Sequence, residues 1–305
     1  MWIFSHPACL QHNPGSGHPE QPQRLTAVIE ALQNAFPGRL DWREAPLASA
    51  LQLALAHSVG LIAQLRKGEP GSGINRIDAD TVMSPGSLEA CLRSAGAVCA
   101  AIDAVMKGPG RRAFCAVRPP GHHSSRDVAM GFCLFNQVAV GARYAQHSHR
   151  IERVAIVDFD VHHGNGTQAI FERDRSVLVV SSHQSPLYPG TGSSKERGAG
   201  NIVNGELGAG AGSREFRQLW RESLLPSIDA FAPQLVLVSA GFDAHHLDPL
   251  ADLNLGAPDY RWITLQLLDL AEKHAKGRIV SSLEGGYSLT ALREASVAHV
   301  GALLS

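Results

Sequence analysis

The sequence predicts an α/β fold built on a mostly parallel sheet with helices on both faces, and three observations carry that expectation. Short β-branched runs alternate with segments whose apolar residues follow helical spacing. Hydrophobic residues make up 44% of the 305 residues and charged ones only 18%, below the roughly 25% of an average soluble protein, so the chain can bury a large core. Most of the β-branched runs end in dense polar sequences, the place where open α/β sheets bind ligands.

Taken in chain order, Trp2–Ser5 is the first strand candidate. Leu25, Val28, Ile29, Leu32 and Phe36 follow with helical spacing. A second helical stripe runs through Leu88, Leu92, Ala95, Val98, Ile102 and Val105, with Ser84-Pro85 as its N-cap and first turn. Ala113–Arg118, Arg153–Phe159, Ser176–Ser182, Gln234–Ala240 and Arg278–Leu283 complete the strand set. Phe216, Leu219 and Trp220, then Ile263, Leu267 and Leu270, mark two further helices. The Gly-rich stretch Gly198–Gly212 reads as an ordinary loop. No composition shift, repeat or low-complexity tract divides the chain, so one domain over residues 1–305 is expected.

Charge and cysteine usage narrow the function classes. Lys and Arg number 27 against 28 Asp and Glu, a net charge of −1 without basic runs, so neither nucleic acid nor a membrane surface is an expected partner. The start Met1-Trp2-Ile3-Phe4-Ser5 lacks the pattern of a signal peptide, and no segment approaches the roughly 18 apolar residues of a membrane span, so a cytoplasmic protein is expected. Five cysteines without a Cys-x-x-Cys pair read as reduced thiols, mostly core. The 15 histidines are the compositional oddity, pairing as His122-His123, His162-His163 and His245-His246.

Asp158, Asp160 and His162 stand at alternate positions at a strand end and would point to one side. Carboxylates and an imidazole converging there would favour a cation, and Asp243 at another strand end could supply a third ligand beside Asp160 and His162. That is the three-ligand layout of catalytic zinc with a position left for water. An isolated Asp-x-His is more often a turn cap with a hydrogen-bonded core histidine. His122 and His123 follow Pro119-Pro120-Gly121, a rigid turn; one neutral imidazole could take a proton from a water made acidic by a metal, with Asp158 and Asn165 as orienting partners. Packing alone would also explain such a pair. Tyr287, after Gly285-Gly286, sits on a turn read as flexible, from which a phenol could donate to a developing oxyanion. His163 should face away from its neighbour and be structural, while His245 and His246 either line the mouth or lie in a solvated loop. His12 and His18 sit in a Pro/Gly-rich loop whose composition turn chemistry alone would explain.

Together these segments resemble the histone deacetylase and acetylpolyamine amidohydrolase family, in its class II-like branch. The matching stretches are Gly15–Glu20, Pro22–Leu25, Ser84–Ser87, Arg118–His123, Gly131–Cys133, Asp158–Gly166, Tyr188–Gly192, Ser239–Asp243 and Leu283–Tyr287, spread over nearly the whole chain. The resemblance implies an arginase-like, three-layer α/β fold with about eight strands. It implies zinc on Asp160, His162 and Asp243, catalytic roles for His122, His123 and Tyr287, and a structural potassium ion near Asp158, Asp160, His162, Ser181 and Ser182. It also implies an acyl-lysine tunnel past Gly131 and Phe132, with Leu187-Tyr188 as the opposite wall where many relatives have two phenylalanines. Asn165 stands where class I members have aspartate, as in the class II-like branch.

The activity so implied is hydrolysis of an acetyl or other acyl amide on a lysine side chain, in a peptide or protein, or on a small acylated amine. An acetylpolyamine substrate would want carboxylates at the mouth, and Asp78 and Asp80 are available, although two solvated loop acids are the simpler reading. A non-catalytic acyl-ligand or metal-binding protein on the same fold is the alternative of another class. His245 stands where an arginase-type binuclear manganese site would want a second carboxylate, which disfavours ureohydrolase chemistry. No G-x-S-x-G elbow, H-E-x-x-H or P-loop is present.

Overall fold

All six β-branched runs form strands in the computed structural model, which describes residues 1–305. In chain order the strands are β1 (Trp2–Ser5), β2 (Asp41–Glu44), β3 (Asn75–Arg76), β4 (Val82–Met83), β5 (Arg112–Cys115), β6 (Val154–Asp158), β7 (Val177–Gln184), β8 (Ile202–Leu207), β9 (Leu235–Ala240) and β10 (Ile279–Leu283). Eight of them make one sheet in the order β2-β1-β5-β10-β9-β6-β7-β8, and every pair in it is parallel. β3 and β4 form a separate antiparallel hairpin.

β6, β9 and β10 are buried along their whole length, as strands covered on both faces must be. Helices 87–107 and 137–149 pack on each other, and helices 23–35, 257–275 and 289–303 form a second group, so the sheet is the middle of three layers. One contiguous apolar core runs from Ile3 to Leu303. The five cysteines are free and buried. No helix is long and apolar enough to cross a membrane.

Two local expectations need correction. The stretch Gly198–Gly212 is not simply a loop, because Ile202–Leu207 within it forms the edge strand β8 and pairs with β7. The helix expected to start at Ser84-Pro85 starts at Ser87 behind Gly86, while the Ser84 hydroxyl accepts from Asn13 N–H at 2.8 Å.

Candidate active site and metal centre

The polar strand ends meet at the carboxyl edge of β5, β10, β9 and β6, four neighbours in the sheet. β6 ends at Asp158, so Asp160 and His162 are not strand residues and the pleat does not align them. Turns do so instead: Asp160 N–H donates to Asp158 Oδ1 (3.0 Å) and His162 N–H to Asp160 Oδ1 (2.9 Å). Val161 N–H donates to Asp243 Oδ1 (2.8 Å) and Gly285 N–H to Asp160 Oδ2 (2.8 Å), tying three strand ends together. A Cβ on Gly241 or Gly285 would overlap the Asp160 or Asp243 carboxylate, so only glycine allows this close approach.

Ligand atoms of Asp160, His162 and Asp243 lie within 4.8 Å of one another, and all three residues are buried. His162 Nδ1 is 3.1 Å from both Asp160 Oδ1 and Asp243 Oδ2. Burial, and then the Asp160 charge, push the Asp243 carboxyl up to about 7. Against the cost of burial, hydrogen bonding to Asp160 and Asp243 raises the His162 imidazole to about 10. Two buried carboxylates that hold positive charge so strongly, with an imidazole nitrogen as third donor, fit a divalent cation with an open side.

The two tandem histidines occupy opposite electrostatic settings. His122 Nδ1 donates to Asp158 Oδ2 at 2.9 Å, and its Nε2 is 3.8 Å from Asp160 Oδ1. Burial disfavours its charge, yet Asp160 and Asp158 outweigh burial and raise its pKa well above the usual value. His123 Nδ1 donates to Asn165 Oδ1 at 2.8 Å. Burial, and then the neighbouring His122 and His162, hold its pKa well below the usual value. The ring centroids are 4.0 Å apart, so an imidazole whose surroundings favour its proton stands beside one whose surroundings disfavour it.

Tyr287 is pinned, not flexible: its N–H donates to Asp248 Oδ2 at 2.7 Å, and the Arg24 guanidinium lies 4.9 Å over its ring. Arg24 also donates to the carbonyls of Gly286 and Glu284, both at 2.5 Å, and to Glu20. Glu20 in turn receives Arg118 through both carboxylate oxygens, at 2.5 and 2.6 Å. This buried Glu20–Arg24–Arg118 cluster, together with Glu284, underpins the site and was given no role by sequence reasoning, although each residue lies in a matching segment.

A pocket of about 200 Å³ opens above the candidate metal ligands. Gly131, Phe132, Leu187 and Tyr188 line it with His123, His162 and Tyr287, and Asp80 and Leu250 join them. Asp80 is therefore a pocket acid, whereas Asp78 caps the turn by accepting from the N–H groups of Asp80 (3.0 Å) and Thr81 (2.6 Å). His18 reaches the Asp80 carbonyl at 3.1 Å and packs edge-on to Phe132, and His12 is buried against Ser87.

His163 faces away, bonded to Thr191 and Gln168. Neither His245 nor His246 lines the pocket: His246 lies exposed in a turn, whereas His245 is buried and stacks on His246 and Tyr260. Ser181 sits beside Asp158 in the β6/β7 ladder with its hydroxyl 2.9 Å from His183 Nδ1, and the Ser182 hydroxyl accepts from Trp220 Nε1.

The histone deacetylase domain model matches residues 18–303. A histone deacetylase-like amidohydrolase of Pseudomonas aeruginosa is 40% identical over 287 residues, covering 92% of this chain and 75% of that protein. A probable deacetylase of Archaeoglobus fulgidus is 36% identical over 294 residues, covering 94% of this chain and 81% of the other. A crystal structure of the HDA15 HD domain superimposes with a TM-score of 0.94 at 33% identity, covering 100% of this chain and 91% of that one.

Proposed function

The chain belongs to the histone deacetylase domain family, and from that premise we propose that it is a zinc-dependent deacylase acting on acylated lysine side chains or related acylated amines. The observation that carries this reading is the buried Asp160, His162 and Asp243 cradle at the base of a pocket flanked by His123 and by Tyr287. The chemistry zinc supplies when held there is polarisation of the amide carbonyl and a lowered pKa for water.

The remaining work falls to the chain. His123, neutral and with Nδ1–H committed to Asn165, presents Nε2 as a general base. His122, held by Asp158, keeps positive charge beside it. The Tyr287 phenol donates to the oxygen of the tetrahedral intermediate, and the protonated His123 returns its proton to the departing amine. Phe132, Leu187 and Tyr188 hold the methylene stem of the substrate and exclude water. Asp158, Asp160, His162, Ser181 and Ser182 would hold a structural potassium ion behind the site. Asp80 in the pocket wall favours an amine with a second cationic group, as in an acetylpolyamine.

The test is turnover by the zinc-loaded protein on an acetyllysine peptide and on acetylputrescine, with Tyr287→Phe as control. Turnover of at least one substrate is expected, reduced about 10²–10³-fold in Tyr287→Phe. Binding of acetylated ligand without turnover of either substrate would overturn the reading in favour of a binding protein.

A further inference from the structure

Glu284 lies between the two halves of the site and belongs neither to the metal cradle nor to the pocket wall. Its carboxylate is buried and receives four donors. Oε2 accepts from the backbone N–H groups of Gly121 (2.6 Å) and His122 (3.2 Å), while Oε1 accepts from Gln137 Nε2 (3.1 Å) and Ser239 Oγ (3.2 Å). The β5/β10 ladder stops at the Cys115–Ser282 pair, so the sheet does not fix where the turn carrying His122 and His123 stands. Glu284 rejoins the two strands beyond that point.

Its main chain serves the other half. The Glu284 N–H donates to Ala240 O at 3.0 Å and its carbonyl accepts from Arg24, at the root of the turn that carries Tyr287. One residue thus holds the histidine turn by its side chain and the tyrosine turn by its backbone.

We propose that Glu284 is a positioning residue that sets the His122–His123 turn relative to Tyr287, so that base and oxyanion donor address the same carbonyl. The inference rests on the deacylase reading above for its functional consequence, and on hydrogen bonds alone for its structural one. What matters is an acceptor at the Oε2 position. In Glu284→Gln the amide oxygen can take that place, and its NH₂ then faces Ser239 and Gln137, whose Oε1 is buried without a partner and can turn to accept. Glu284→Leu offers no acceptor, and Glu284→Asp withdraws it by one methylene while keeping the charge.

The experiment measures amide hydrogen exchange at Gly121 and His122 together with kcat and KM on an acetyllysine peptide, at matched zinc content. In Glu284→Leu the two amides should exchange roughly tenfold faster or more, the cost of leaving buried donors without an acceptor. Turnover should fall about 10²-fold, as for a catalytic group displaced by about 1 Å, with KM within about threefold. Glu284→Gln should stay within about fivefold of wild type in both readouts, the scale of an ordinary hydrogen bond. If the leucine variant does not fold, Glu284→Asp takes its place with the same losses expected.

Unchanged protection of both amides in the leucine or aspartate variant overturns the proposal, as does unchanged kcat in an enzyme whose wild type is active. A glutamine variant as impaired as the leucine one also overturns it, by making charge and not acceptor geometry the cause. An inactive wild type overturns the deacylase reading instead, and the exchange data still decide whether Glu284 positions the turn.

Discussion

Replacing Asn165 by aspartate puts a negative charge on the partner of the candidate base with almost no change of shape. Asn165 Oδ1 lies 2.8 Å from His123 Nδ1, and Asn165 is the first residue of helix 165–171, where a carboxylate is favoured by the helix dipole and remains ionised. Opposite charges about 4 Å apart at an effective dielectric near 20 attract by roughly 4 kcal/mol, or about three pH units. Removing the new carboxylate from water subtracts from that figure, so the His123 pKa should rise by about 1–3 units. In the wild type burial, and then His122 and His162, hold the imidazole pKa down, so the variant should keep its proton to higher pH than the wild type does. The acid limb of kcat/KM, which reports the free enzyme, should therefore move to higher pH by that amount. A folded, zinc-loaded Asn165→Asp enzyme whose acid limb does not move would refute His123 as the group whose protonation stops the reaction.

Glu20→Gln leaves the guanidiniums of Arg24 and Arg118 buried without an acid, a loss of about 3–5 kcal/mol. With an unfolding entropy of about 2.1 cal/mol/K for each of the 305 residues, that is a drop in Tm of roughly 5–8 °C by calorimetry, and an unchanged Tm would refute the account. His299 is buried between Thr264 and Ser281, and burial holds its pKa down at about 3. Its stabilising contribution is complete above the unfolded value of about 6.5 and is lost as pH falls from there toward 3, at up to about 1.4 kcal/mol per pH unit. Denaturant unfolding between pH 7 and 5 should show a shallower loss for His299→Gln than for wild type, and equal slopes would count against the prediction. Added zinc should raise the Tm of the wild type but not of Asp243→Asn, which lacks one of the three candidate ligands; an equal rise in both would show that the metal binds elsewhere.

The central strands are legible because they are buried on both faces and need an unbroken β-branched run, as in Val154–Asp158 and Leu235–Ala240. The edge strands carry no such run. Asp41-Trp42-Arg43-Glu44 is largely exposed and falls outside the strand candidates, and Asn204-Gly205-Glu206 interrupts β8, so that stretch reads as loop. The spacing of Asp158, Asp160 and His162 brings forward the right residues through the wrong geometry, since side-chain-capped turns take over where the strand stops. Glu20, Arg118 and Glu284 leave no local pattern because their partners are far off in the chain: Arg118 is 98 residues from Glu20, and Gly121 is 163 from Glu284.

That same separation governs the order in which the molecule can be assembled during synthesis. β10 comes after every other strand of the sheet, yet it takes the central place between β5 and β9. At about 5–20 residues per second, a ribosome needs roughly 10–30 s to travel from Gly121 to Glu284, residues 163 apart. Throughout that interval β5 and then β9 present open edges to the cell, and the histidine turn waits for the carboxylate that will hold it. The nascent chain is therefore exposed to misassociation at its own future centre, and molecules cut short before β10 would lack both a closed sheet and Tyr287.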